Sequence, residues 1–291
     1  MLVKAMSKIY LAGEYAILMP GSFAILAPVK KYTYLEIEKA DEESVESTVE
    51  DKQKLLKYAR EQAFIFAKKY EKFSYKYTTD LYTKGTKFGL GSSASVVVVT
   101  IKAILEYMKI KYTKADLFIL SVRALRKAGN RGSMGDVACI CYEDLILYQS
   151  IDENEKYMIK EIKPKGLLKI TAFWSGKPVS TAKQISPIKK WYNTEEFLNF
   201  VKVSNKYTLE LEKSISQGLE NNLISCVEKL RLNLIYLEKF SKILIHSKEL
   251  NKYILNYPGR KTSGSGKGDF AIELRLEDVE KRSAYEICLR V

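Results

Sequence analysis

The plainest chemistry in the chain lies in Lys87-Phe88-Gly89-Leu90-Gly91-Ser92-Ser93-Ala94-Ser95, followed directly by four valines, Val96–Val99. Two glycines this close together permit positive φ and let the backbone approach a ligand. Three serine hydroxyls add donors, and the amides and dipole of the helix that follows face the same point. Such a stretch holds an anion, and phosphate is the guest it suits. The competing reading is a Gly/Ser connector between a strand and a capped helix, and the GxGSS run alone does not decide between them. A Walker A loop is excluded, because no GK[ST] closes the stretch.

A second glycine-rich stretch, Lys261-Thr262-Ser263-Gly264-Ser265-Gly266-Lys267-Gly268-Asp269, lies far downstream. Between the two stands Gly132-Ser133-Met134-Gly135-Asp136, whose Ser133 and Asp136 have the spacing of a capping box. Taken alone, that structural role explains both residues. The single histidine, His246, sits in a lysine-rich helical stretch and reads as a residue on a helix face. One histidine removes most Ser-His-Asp and histidine-ligated metal mechanisms. The four cysteines (Cys139, Cys141, Cys226, Cys288) form no CxxC and read as reduced, mostly buried thiols. Catalysis must therefore use Lys, Asp, Ser and backbone dipoles.

The elements that position these residues follow from pattern. Val3–Leu18 predicts two short strands around a turn at Ala12-Gly13-Glu14, with Lys8 early in it. Pro20-Gly21 predicts a turn, and Ala24–Ile37 returns as strands. Asp41–Asp51 reads as an acidic surface loop. Gln53–Lys72 carries Leu56, Ala59, Ala63, Phe66 and Ala67 at helical spacing. Phe73–Tyr82 is aromatic and β-branched and predicts a strand; Ser95–Met108 predicts the helix behind the phosphate loop. Thr113 caps a helix that Gly129 ends, and Leu145–Tyr148 predicts a strand. A domain boundary is expected in the polar stretch Asp152–Lys165. Then come a strand at Leu168–Trp174, three helices over Thr194–Tyr257 broken near Gly218 and Tyr236, and a strand at Phe270–Leu276. A short helix and a strand at Tyr285–Arg290 close the chain.

The length of 291 residues favours two domains, and 46% hydrophobic residues suffice for a sizeable core. The apolar run at Val96–Val99 is interrupted by Lys102 and nothing resembles a leader, so a cytoplasmic protein is expected, with no membrane partner. The net charge is +13. Residues 156–190 alone hold nine lysines against one acid, Glu161. Such a face suits nucleic acid, an anionic membrane or small polyanions. Lysine is abundant throughout, arginine is scarce and no RRM, KH or helix-turn-helix signature is present, so no nucleic-acid partner is expected.

Four stretches in order, KIYLAGEYAIL (Lys8–Leu18), KFGLGSSASVVV (Lys87–Val98), GSMGDVACICYEDLILYQS (Gly132–Ser150) and KTSGSGKGD (Lys261–Asp269), resemble the motifs of the GHMP family of small-molecule kinases. The resemblance spans nearly the whole chain. It implies an α+β, two-domain fold: an S5-like nucleotide-binding domain over residues 1–160, a ferredoxin-like domain over 161–291, and an active site in the cleft between them. It implies ATP and Mg²⁺ as cofactors, with Lys87, Gly89, Leu90, Gly91, Ser92, Ser93 and Ala94 on the ATP phosphates and Ser93 on the metal. Lys8 and Asp136 match the family's catalytic pair. Tyr15, Ser133, Ser263, Gly264 and Gly266 fall to the substrate side.

Two departures narrow the substrate. Mevalonate kinases carry a histidine after the GE of the first motif, where this chain has Tyr15. They carry a magnesium-binding glutamate eleven residues before the catalytic aspartate, where this chain has Leu125. Both point toward those bacterial mevalonate-pathway kinases whose small-molecule substrate is already phosphorylated, and so to conversion of 5-phosphomevalonate to 5-diphosphomevalonate. The third motif also has Lys267 at a family glycine, which either touches a phosphate or points to solvent; the abundance of lysine favours solvent.

Overall fold

The structure is a computed structural model that describes residues 1–47, 54–83, 86–152, 155–179, 181–277 and 283–290. It is α+β and divides into two compact units, each made from two pieces of chain. One holds Met1–Lys8 and Pro28–Asp144, the other Ile9–Ala27 and Leu145–Val291.

In the first unit, β1 (Leu2–Ala12) contributes its first seven residues, and β2 (Phe23–Lys39) contributes Pro28 onward. β1 pairs with β2. The Met1 ammonium donates to the Ile37 carbonyl at 2.8 Å, and Ile37 N–H returns a bond to Met1 O at 2.9 Å. β3 (Ser44–Ser47) runs parallel to β4 (Phe73–Thr79), which runs antiparallel to β2. Part of the expected acidic surface loop is thus a fully exposed edge strand, and the rest of it, from residue 48, lies outside the described residues. α1 (Leu55–Ala67) follows, and a two-stranded ribbon, β5 (Tyr82–Thr83) with β6 (Thr86–Lys87), leads into the glycine-rich turn at residues 88–91.

α2 (Ser92–Tyr107) is the core of this unit. Ala94 to Ile101 are all buried, and α2 packs against α1, α3 (Lys114–Lys127) and α4 (Gly135–Tyr142). Four consecutive valines are poor helix formers, since branching at Cβ restricts their rotamers. Burial on every side overrides that preference. Tyr77 Oη and Thr100 Oγ1 lie 2.9 Å apart and tie the helix to the sheet. α3 begins as expected: Thr113 Oγ1 accepts from Asp116 N–H at 3.1 Å and Asp116 Oδ2 accepts from Thr113 N–H at 2.8 Å, a reciprocal capping box.

In the second unit, residues 9–12 end β1. No second strand follows, because Gly13 (φ +89°) and Tyr15 (φ +61°) break the extended backbone and Ala16–Leu18 coil into a 3-10 turn. Phe23–Leu26 pair antiparallel with β7 (Ile146–Gln149), which pairs with β8 (Met158–Glu161), a strand the expected boundary stretch had hidden. A four-stranded sheet has the order β10 (Arg260–Ser263), β11 (Phe270–Glu277), β9 (Gly166–Trp174), β12 (Ser283–Arg290). Adjacent strands are antiparallel except β9 and β12.

A short helix α5 (Thr181–Ile185) and a 3-10 turn through Trp191 occupy the end of the lysine-rich segment. α6 (Glu195–Gln217) is capped by Thr194 and ended by Gly218 in the left-handed conformation. α7 (Glu220–Ser241) runs straight past Tyr236, and the break expected there falls at Lys242–Ser247, before α8 (Lys248–Ile254). Tyr236 continues because its ring packs on Phe240 at 5.1 Å. The helices enclose a core of Tyr15, Ile188, Phe197, Phe200, Leu234, Leu237 and Ile245. The short helix expected before the last strand lies outside the described residues.

Candidate active site

The glycine turn at residues 89–91 has the positive-φ backbone the sequence implies. Gly89 and Gly91 have φ of +76° and +89°, a region that side chains with a Cβ avoid. Gly91 is the N-cap of α2, with no side-chain cap bond, and the first rung of the helix is Ser95 N–H to Gly91 O at 3.0 Å. The amides of Ser92, Ser93 and Ala94 therefore precede the hydrogen-bond ladder and form the positive end of a four-turn helix. Gly89 and Ser93 are exposed and Ser92 is half-buried, while Leu90 and Ala94 anchor the loop in the core. Ser95 does not join them: it is fully buried and bonds Thr33 Oγ1. The side chain of Lys87 lies outside the described residues.

Lys8 crosses this helix mouth. Its N–H donates to Leu90 O at 3.1 Å. A Cβ placed on Gly91 would sit 2.9 Å from Lys8 Cε and 3.3 Å from Cγ, so the lysine stem occupies the space a side chain would need. Gly91 is required twice, for its φ and for this passage.

Asp136 lies in the first turn of α4, half-buried. The capping box with Ser133 does not form. Met134 takes the N-cap position at φ +65°, which makes Asp136 the second helical residue instead of the third. Asp136 Oδ1 accepts from Val137 N–H at 3.0 Å, and Ser133 Oγ accepts from Gly135 N–H at 3.4 Å. The carboxylate is thus held at a helix N-terminus, where the dipole favours its charge. Lys8 and Asp136 both act electrostatically on the buried Cys139. Burial pushes the Cys139 thiol well up, Lys8 opposes that shift and Asp136 adds to it. All four cysteines are free thiols, with only Cys288 exposed.

The remaining expected residues belong to the second unit. Lys261, Thr262 and Ser263 are not loop but the strand β10, and all three are buried. Ser263 Oγ donates to Tyr10 O at 2.8 Å. Gly264 has φ +71° with open space where a Cβ would stand, whereas a Cβ on Gly266 would lie 2.6 Å from Ile245 Cγ2. Gly264 can admit a ligand to the backbone; Gly266 is a packing glycine. Lys267 is exposed, in line with the solvent reading. Tyr15 is 3% exposed, and its hydroxyl donates to Ser265 O at 2.7 Å. His246 is not on a helix: it lies between α7 and α8, with Nδ1 2.6 Å from Glu238 Oε2.

Sequence reasoning passed over Lys261, which is fully buried and ion-paired with Glu14. Only its place directly before the third motif marked it. No local pattern announces a partner 247 residues away.

Mg²⁺ binds one or two protein oxygens and completes its shell with water and nucleotide phosphates, and the exposed Ser93 hydroxyl at the helix mouth is an oxygen donor of that kind. Leu125 is buried and apolar, so its position supplies no further ligand.

The family model for the GHMP kinases N terminal domain matches residues 55–144. A phosphomevalonate kinase from Streptomyces sp. (strain CL190) is 22% identical, over 93% of this chain and 88% of its own. The phosphomevalonate kinase of Streptococcus pneumoniae superposes at a TM-score of 0.80 with 30% identity, covering 95% of this chain and 92% of its own. A complex of that kinase with phosphomevalonate and AMPPNP gives 0.83 and 28%, with the same coverage. Among the described residues, no helix is long and apolar enough to cross a membrane.

Proposed function

We propose that this chain, which belongs to the GHMP kinase family, transfers the terminal phosphoryl group of ATP to the phosphate of 5-phosphomevalonate, giving 5-diphosphomevalonate for isoprenoid biosynthesis. The observation that carries the reading is the Lys8 stem laid across Gly91 at the mouth of α2, in a chain that shares 30% identity over 95% of its length with a phosphomevalonate kinase. In this reading residues 1–160 form the nucleotide-binding domain and 161–291 the ferredoxin-like one, and the enzyme works in the cytoplasm.

The chemistry follows from the acceptor. A phosphate monoester loses its second proton near pH ~6 and is mostly dianionic at neutral pH, so it needs little help from a base. The obstacle is repulsion between two polyanions. A pair of unit charges at 4 Å costs about 4 kcal/mol at an effective dielectric of about 20. Positioning and charge stabilisation dominate such reactions. The amides of residues 92–94 receive the nucleotide phosphates, with Gly89 and Leu90 shaping the turn and Lys87 flanking it. Lys8 stabilises the charge that develops between donor and acceptor. Asp136 orients the lysine and the acceptor more than it removes a proton. Ser93 would hold Mg²⁺, which would supply further neutralisation of the nucleotide phosphates. Ser133, Ser263 and Gly264 belong to the acceptor side, while Tyr15 and Gly266 are packed residues that shape it from behind.

An alcohol acceptor is the rival reading. Against it stand Tyr15 and the apolar, buried Leu125, which cannot bind metal. A non-catalytic binder would have no use for Lys8 and Asp136, the match to the family's catalytic pair. Mg²⁺-dependent ADP release, measured with 5-phosphomevalonate, mevalonate and homoserine in turn, tests the proposal. Turnover of 5-phosphomevalonate alone is expected; turnover of mevalonate without it would overturn the reading.

A further inference from the structure

Tyr15 stands at the position that separates this chain from mevalonate kinases, yet its side chain is core. Its ring packs among Phe197, Phe200 and Ile245, and its hydroxyl is committed to the Ser265 carbonyl. Its backbone is strained. With φ +61° and ψ −46°, and with Ala16 N–H donating to Glu14 O at 2.7 Å, Tyr15 is the centre of a γ-turn of the rare, strained kind. A bulky residue stays in such a region only where its surroundings over-determine it.

Those surroundings are specific. On one side of the turn, Glu14 is ion-paired with Lys261, whose Nζ also donates to Thr262 O at 2.7 Å. At the turn itself, Tyr15 Oη holds Ser265 O. Ahead of it, Gly13 presses on residues 23 and 24, where a Cβ would come within 2.2 Å of Phe23 O. Two successive side chains of the first motif therefore grip two points of the third, four residues apart, with the open Gly264 between them. Beyond that grip, Lys267 N–H donates to Ile245 O at 2.7 Å. The loop is pinned before and after Gly264.

We propose that Glu14, Tyr15 and Lys261 form a clamp that fixes the backbone of residues 263–265, and that Tyr15 is a positioning residue acting through the Ser265 carbonyl. Burial pushes the Tyr15 hydroxyl well up, which keeps it a donor. Burial also lowers Lys261, and Glu14 opposes that shift. Replacing one partner of a buried ion pair strands the other charge, whereas replacing both with neutral residues need not unfold the chain. The consequence for catalysis rests on the phosphoryl-transfer reading above, because it takes Gly264 as a point of approach for the acceptor. The clamp itself does not.

Two variants test it: Tyr15→Phe, which deletes one hydroxyl and keeps the ring in the core, and the neutral double variant Glu14→Gln/Lys261→Met. Hydrogen exchange of the peptide covering residues 262–268 reads the clamp without any substrate. Steady-state kinetics read its consequence. Faster exchange is expected in both variants, with kcat/KM for 5-phosphomevalonate down roughly 10- to 100-fold and KM for ATP unchanged. A purely structural role would lower the unfolding temperature and leave the acceptor KM alone. Wild-type exchange with wild-type acceptor kinetics in Tyr15→Phe would overturn the proposal, whether or not the double variant folds. If the parent enzyme does not turn over 5-phosphomevalonate, the functional reading falls instead, and exchange at residues 262–268 alone decides the clamp.

Discussion

The loop at residues 87–95 draws its donors from the helix it opens, whereas the stretch at 261–269 is held by residues 247, 250 and 253 positions away. Both are rich in glycine and serine, but their glycines do different work. Gly91 is needed for φ and for the passage of a lysine stem. Gly266 is needed because Ile245 lies against it. Gly264 faces open space. A glycine-rich sequence therefore does not specify one kind of loop: the first opens a helix whose leading amides are free of its ladder, the second is a packed turn in which Gly264 faces open space.

If the first loop is the chemical centre, the largest lesion should come from the cation that crosses it. Lys8→Met is expected to lower kcat by roughly 10³-fold, the upper range for losing a group aimed at developing charge. Asp136→Asn should cost less, since an obligatory base would contribute about 10²–10⁴-fold and this acceptor is already ionised. The deficit of the Asn variant should shrink as pH rises above ~6. kcat for both variants, measured from acid to mildly alkaline pH at saturating ATP, checks this. Equal damage with a pH-independent deficit would give Asp136 a different task.

Ser93→Ala comes next, with a loss on the order of 10²-fold at limiting Mg²⁺. Full activity there would transfer the metal role to Ser92.

Exchanging lesions between the two loops sharpens the contrast further. Gly91→Ala should displace the flexible Lys8 stem and lower activity about tenfold while the fold persists. Gly266→Ala meets the Ile245 backbone oxygen at 2.7 Å, which cannot swing aside, so it should destabilise the chain by about 1–3 kcal/mol. Denaturant melts beside steady-state assays separate the two. A reversed pattern would break the comparison.

The smallest effect concerns His246. Burial lowers its imidazole, Glu238 pulls the other way, and Lys261 and Arg231 reinforce the lowering. The unfolded chain then takes up a proton near pH ~6.5 that the folded chain refuses, so stability should fall progressively as pH drops from there toward the folded-state value. His246→Gln should flatten that part of the stability profile in thermal melts. A steeper loss in the variant would reverse the sign assigned here.

How much was legible in the chain follows from how far apart the causes lie. The glycine turn before α2, the α3 capping box and the Gly218 stop rest on residues within a few positions of one another, and local chemistry is written locally. The same holds for the order of the four motifs, which carried the family. Tertiary structure alone decided the rest. The four valines of α2 form a helix because they are buried on all sides, against their own preference. α7 continues through Tyr236 because an aromatic partner waits one turn on. Asp136 loses its expected cap partner because Met134 adopts a left-handed turn. Lys261 reads as one lysine among many until the fold brings Glu14 to it, and Tyr15 reads as a substrate contact until Ser265 claims its hydroxyl. Pairing across some 250 residues leaves no periodicity or spacing in the sequence, since nothing in the local backbone depends on it until the chain has folded.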